Sequence, residues 1–105
     1  MATLTKADKA MLLRQLAIKC VKYNEARAEA LRKEHEFGLF SAEGVIARRK
    51  CEYVRGEADG MRYLLARLGV TYEEEWDDDG NCVAIWQLGR QAKVNILQDV
   101  MLEVA

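Results

Sequence analysis

The stretch FSAEGVIARRKCEYVRGEADGMRYLLARL, residues 40–68, decides the fold. Within it Phe40, Gly44, Ala47, Cys51, Val54, Ala58, Met61, Leu65 and Leu68 recur at spacings of four and three without a break. That rhythm predicts a helix over 41–68 whose seam packs lengthwise against another helix. Residues 5–36 supply the partner. Thr5 followed by Asp8 forms a capping box, and the run behind it carries a seam of Ala10, Leu13, Ala17, Val21, Asn24, Ala28, Leu31 and His35. A second apolar stripe, Leu12, Leu16, Cys20 and Tyr23, broadens its N-terminal half. That stripe must be buried against the C-terminal segment or another subunit.

Phe37-Gly38-Leu39-Phe40 joins the two helices, and a connection this short forces an antiparallel hairpin. Folding about it places Leu31 opposite Ala47, Ala28 opposite Cys51, Val21 opposite Ala58, Ala17 opposite Met61, and Leu13 opposite Leu65. Large residues repeatedly meet small ones, as close interdigitation requires. Asn24 falls opposite Val54 as the polar exception, a residue type that sets register in helix pairs. The outer face of the second helix, Arg48, Glu52, Arg55, Asp59 and Arg62, alternates in sign and can neutralise itself.

Beyond Gly69, Val70-Thr71-Tyr72 and Cys82–Trp86 have strand composition, separated by the acidic run Glu73–Asp79 and an Asp-Gly turn. A β-hairpin over 70–88 follows, with Trp76 and Trp86 as anchors. Residues 91–104 read as a short amphipathic helix through Leu97, Val100, Met101 and Val104, although Val94, Ile96 and Val100 also suit a third strand. The fold class is mainly α, α+β in type: a long antiparallel helical hairpin, a β-hairpin and a short C-terminal helix. All 105 residues form one domain.

Composition bounds the function. Proline is absent, half the residues are hydrophobic and 31% are charged, as in an ordinary folded protein. No apolar run approaches the roughly 18 residues of a membrane span. The N-terminus MATLTKADK lacks a signal-peptide core, so a cytoplasmic location with no membrane contact is expected. The net charge of −1 hides an asymmetry: residues 1–72 carry a net of +5 and residues 73–105 a net of −6. Such segregation serves contacts between molecules or cancels within the fold. The three cysteines, Cys20, Cys51 and Cys82, form no CxxC pair, and they read as buried free thiols rather than metal or redox groups. His35, beside Glu34 and Glu36, lacks the spaced partner a metal site needs.

No phosphate-binding glycine loop, nucleophile elbow, zinc motif or calcium loop occurs, so neither an enzyme nor a bound cofactor is expected. Three features point to binding instead. The apolar tip Phe37, Leu39 and Phe40 either is exposed, which is costly without a partner, or merely closes the end of the hairpin core. The basic group Arg48, Arg49, Lys50 and Arg55 can meet phosphate, although a sequence pI near 5.9 argues against extensive duplex binding. The acidic hairpin can imitate a phosphate backbone or simply guard a sheet edge. Leu16, Tyr23, Ile46, Tyr53 and Leu64 add apolar surface that a two-helix hairpin cannot cover, which predicts a homo-oligomer, a dimer or a multiple of one.

In size and plan, a proline-free helical hairpin followed by one β-hairpin, the chain resembles the small accessory proteins of bacterial phages and other mobile elements. The resemblance transfers no functional residue. It implies stoichiometric action, by blocking a host defence protein or sequestering its anionic nucleotide signal. The alternatives are a regulatory module touching nucleic acid through the first two helices, and a structural or scaffold subunit.

Overall fold

With no proline or interior breaker, residues 6–37 form one uninterrupted helix. In the computed structural model, which describes residues 3–104, α1 spans Lys6–Phe37 and α2 spans Ala42–Arg67. The 32 residues of α1 set the long axis of a molecule measuring 51 × 27 × 23 Å, since a helix rises about 1.5 Å per residue. The capping box forms as expected. Thr5 N–H donates to Asp8 Oδ2 at 3.1 Å, and Asp8 N–H donates to Thr5 Oγ1 at 3.0 Å. Phe37 completes the last turn of α1 instead of opening the connection, and Gly38 at φ 101° stops the helix.

The seam of α2 is the one read from its sequence. Gly44, Cys51, Val54, Ala58 and Leu65 are buried, Ala47 and Met61 half-buried, and only the end residues Phe40 and Leu68 are exposed. The partner seam is corrected in its second half. Ala28 and Leu31 face solvent, while Ala26 and Ala30 pack with Cys51. The buried line of α1 therefore continues the second stripe, through Leu16, Cys20 and Tyr23, rather than the one through Val21 and Asn24. One residue of displacement turns a helix face by about 100°, enough to expose Ala28.

After α2, Gly69 at φ 72° turns the chain and Val70 enters the core. Three strands follow, β1 Tyr72–Trp76, β2 Cys82–Leu88 and β3 Lys93–Asn95, antiparallel in the order β1-β2-β3. The first strand thus starts later than Val70 and absorbs the acids Glu73, Glu74 and Glu75, which the sequence assigns to a connection. Pairing explains how strand structure survives such composition: β1 is an edge strand, where charge is tolerated and guards against aggregation. Residues 91–104 supply both of the structures left open, β3 and then α3 Ile96–Val104. Asn95 joins them, its Oδ1 accepting from Ile85 N–H at 3.2 Å and from Gln98 N–H at 3.3 Å.

The β1–β2 register slips by one residue. Glu75 pairs with Ala84 but Trp76 pairs with Cys82, leaving Val83 as the extra residue of a bulge. Cys82 and Ile85 can then join the same core, although a regular strand would point them to opposite faces. That core gathers Leu13, Leu16, Ala17 and Cys20 of α1 with Ala58 and Leu65 of α2, Ile85 of β2, and Leu97 and Val100 of α3. The C-terminal segment therefore covers the second apolar stripe of α1. Leu16, expected at a contact between subunits, is 0% exposed and unavailable for one. Tyr23 is half-buried, its ring set edge-on to Trp76 with centroids 6.4 Å apart.

Asn24 does not set the register of the helix pair. Its Nδ2 donates to Cys82 O at 2.8 Å, and its Oδ1 accepts from Cys82 N–H at 3.1 Å. The side-chain amide thus behaves as one more strand residue and clamps β2 to α1.

Candidate functional site

The hairpin tip is built by local sequence. Ser41 caps α2, accepting from Gly44 N–H at 3.0 Å and donating from its hydroxyl to Gly38 O at 2.7 Å. A Cβ on Gly44 would lie 2.8 Å from Gly38 O, so only glycine permits this close return of the chain. The turn so fixed holds Phe37, Leu39 and Phe40 in solvent, with Phe40 89% exposed. Lys33 Nζ lies 5.2 Å from the centroid of the Phe37 ring. Leu39 and Phe40 line a shallow depression together with Val45, Arg48 and Arg49.

The basic group does not converge. Arg48 forms an ion pair with Glu34 of α1 rather than with Glu52 along its own helix. Arg55 Nε lies 3.9 Å from Asp59. Among the described residues neither Arg49 nor Lys50 has an ion-pair partner, and each successive side chain turns about 100° around the helix. His35 is exposed beside a Glu34 already engaged by Arg48.

A second surface lies along α2. Ile46 and Tyr53 are 67% and 71% exposed, and Leu64 is exposed on the same side. Gly56 and Gly60 lie beside them in the helix interior, and a Cβ at either would meet nothing within 4 Å.

The acidic run is largely engaged by its own chain. Lys93 Nζ donates to Glu73 at 2.8 Å, and Trp86 Nε1 donates to Glu75 at 2.9 Å. Asp77 Oδ1 accepts from the N–H groups of Asp79 and Asn81 at 3.0 and 2.8 Å, and these bonds hold its carboxyl below the usual range. With Arg14–Glu103 and Arg62–Glu74 also paired, part of the charge asymmetry cancels inside the fold.

Where α1, α2 and the sheet meet lies a polar cluster that sequence spacing does not reveal. Arg62 Nε donates to both Glu74 oxygens at 2.9 and 3.2 Å, its Nη1 donates to Asp59 at 2.8 Å, and its Nη2 approaches Cys20 Sγ at 3.4 Å. Trp76, exposed on one side rather than buried as an anchor, covers Arg62 at 5.1 Å. Burial works against the guanidinium charge, but the bonds and charge of Glu74 outweigh it and raise the Arg62 pKa. Cys20 and Cys82, both fully buried free thiols, lie side by side. The neighbouring Cys82 sulfur and burial push the Cys20 thiol up, while the neighbouring Cys20 lowers Cys82. Burial, then the charge of Glu74, pushes the Tyr72 hydroxyl to about 12. The separation of 62 residues between the thiols hides this pair from any motif search.

No helix among the described residues is long and apolar enough to cross a membrane. Comparison with protein-family profiles, curated proteins and solved structures finds no match for the chain.

Proposed function

We propose that this chain is a non-catalytic, cytoplasmic binding protein that acts by occupying a protein partner through the tip of its helical hairpin. The observation that carries the reading is the tip itself: three large apolar side chains in solvent on a turn that Gly38, Ser41 and Gly44 make rigid. An apolar anchor held in place loses little conformational freedom on binding. With Arg49 beside it, which has no ion-pair partner among the described residues, the tip suits an apolar pocket with a carboxylate at its rim. A protein target is favoured over an anionic nucleotide or nucleic acid because the four basic residues are split between internal ion pairs and different helix faces. On the plan-level resemblance, the target is a host protein of a bacterium, bound stoichiometrically.

The test uses the intact chain, immobilised, against bacterial lysate, with Leu39→Asp/Phe40→Asp as the comparison. The exposed positions predict an unchanged melting temperature for the variant. A protein captured in equal amount to the bait by the native chain and lost with the variant is the expected result. Identical captured sets would remove the tip from consideration.

The same reading includes self-association along α2. Glycine inside a helix costs about 1 kcal/mol relative to alanine, and among the described residues nothing lies within 4 Å of where a Cβ on Gly56 or Gly60 would stand. A second helix approaching closely along Ile46, Tyr53 and Leu64 would use both glycines. Sedimentation equilibrium at micromolar concentration is expected to give a mass above the 12.0 kDa of one chain. Tyr53→Glu is expected to return it to that mass with the helical signal retained. A native chain already sedimenting as a single 12.0 kDa species would sink the proposal.

A further inference from the structure

We propose that Cys20, Glu74 and Cys82 form a binding site for a zinc ion. The two sulfurs and a Glu74 oxygen lie within 4.8 Å of one another. In a tetrahedral zinc site with Zn–S of about 2.3 Å, neighbouring donor atoms stand about 3.8 Å apart, so closure needs a shift of only about 1 Å. The three donors come from α1, β1 and β2, and the bulge at Val83 accompanies Cys82's entry into the core beside Cys20. Two thiolates with one carboxylate favour zinc over magnesium or calcium, which take oxygen ligands.

The neighbours fit the charge. Two thiolates, a carboxylate and Zn²⁺ sum to −1, and Arg62 restores neutrality from beside the cluster. Both Glu74 oxygens accept from the same Arg62 Nε, so one can turn to the ion while the other keeps the ion pair. On binding, each thiol releases its proton to solvent. A water takes the fourth position, as in zinc sites with three protein ligands; Glu74 and Arg62 are both partly exposed and provide its route. A bound ion would tie the sheet to α1 at the same place as the Asn24 clamp.

The reduced, chelator-treated chain is titrated with zinc sulfate against a chromophoric chelator, and separately with cobalt(II) followed by absorption. One ion per chain, a thiolate-to-cobalt charge-transfer band and a rise in melting temperature with zinc are expected. Cys20→Ala/Cys82→Ala should abolish binding, and His35→Ala should leave it unchanged. Glu74→Gln should keep the charge-transfer band while weakening zinc at least about tenfold, since losing a direct carboxylate ligand costs no less than losing an outer-shell partner. If the double cysteine variant does not fold, the native cobalt spectrum and Glu74→Gln decide the question. The proposal is overturned by no uptake, by uptake without a thiolate band, by full-affinity binding in the cysteine or Glu74→Gln variants, or by peroxide oxidising the two thiols to a disulfide in a chain that takes up no zinc.

Discussion

Leu16→Ala is expected to lower the stability of this chain by about 2–5 kcal/mol while leaving its sedimentation mass unchanged. Leu16 is fully enclosed by its own chain, in the core shared by α1, α2, the sheet and α3. Truncation removes three carbons there and leaves a cavity that helices on two sides cannot close. Domains of this size have total stabilities of about 5–15 kcal/mol, so the loss is a large fraction of what holds the fold. A fall in sedimentation mass with a loss of under about 1 kcal/mol would instead return Leu16 to a contact between subunits. The measurement thereby separates two uses of one apolar stripe.

Asn24→Leu is expected to destabilise by about 2–4 kcal/mol, and here the sign carries the information. The leucine cannot replace the bond from Asn24 Nδ2 to Cys82 O or the bond from Cys82 N–H to Asn24 Oδ1. Both backbone groups of Cys82 are then left without their partner against the helix. Were Asn24 an internal polar residue of the helix seam, the same change would fill the seam with apolar volume and raise stability. Thermal unfolding together with exchange of the Cys82 amide checks the expectation. Faster exchange at Cys82 with a lower melting temperature is the expected pair; an unchanged or higher melting temperature would show that the clamp contributes nothing.

Local rules reached much of the architecture. The α2 seam, the capping box at Thr5 and Asp8 and the Asp-Gly turn all rest on contacts within a few residues or on periodicity, and the chain displays both directly. Whether Phe37, Leu39 and Phe40 close the end of the hairpin core or stand in solvent was not legible in the sequence, since both leave the same short connection; the structure exposes them. Limits appeared where local preference competes with long-range pairing. Glu73–Glu75 lack strand composition, yet they form β1 because β2 offers a ladder of backbone partners. Lys93–Asn95 became a strand on the same terms.

By itself, then, the sequence determined a proline-free helical hairpin followed by a β-hairpin, and left open whether its tip is buried and whether residues 91–104 form a helix or a third strand. Periodicity and capping act over one or two turns and need no knowledge of what lies across the fold. Only the tertiary structure decided which stripe of α1 is buried along its second half, because two stripes one residue apart differ only by a rotation of the helix. It also decided that Asn24 grips β2 instead of α2, and that Cys20, Glu74 and Cys82 converge at Arg62. Those residues come from three elements and are brought together by sheet register and a one-residue bulge. A bulge adds one residue to one strand and changes the direction of every side chain beyond it, and no spacing rule along the chain records that change.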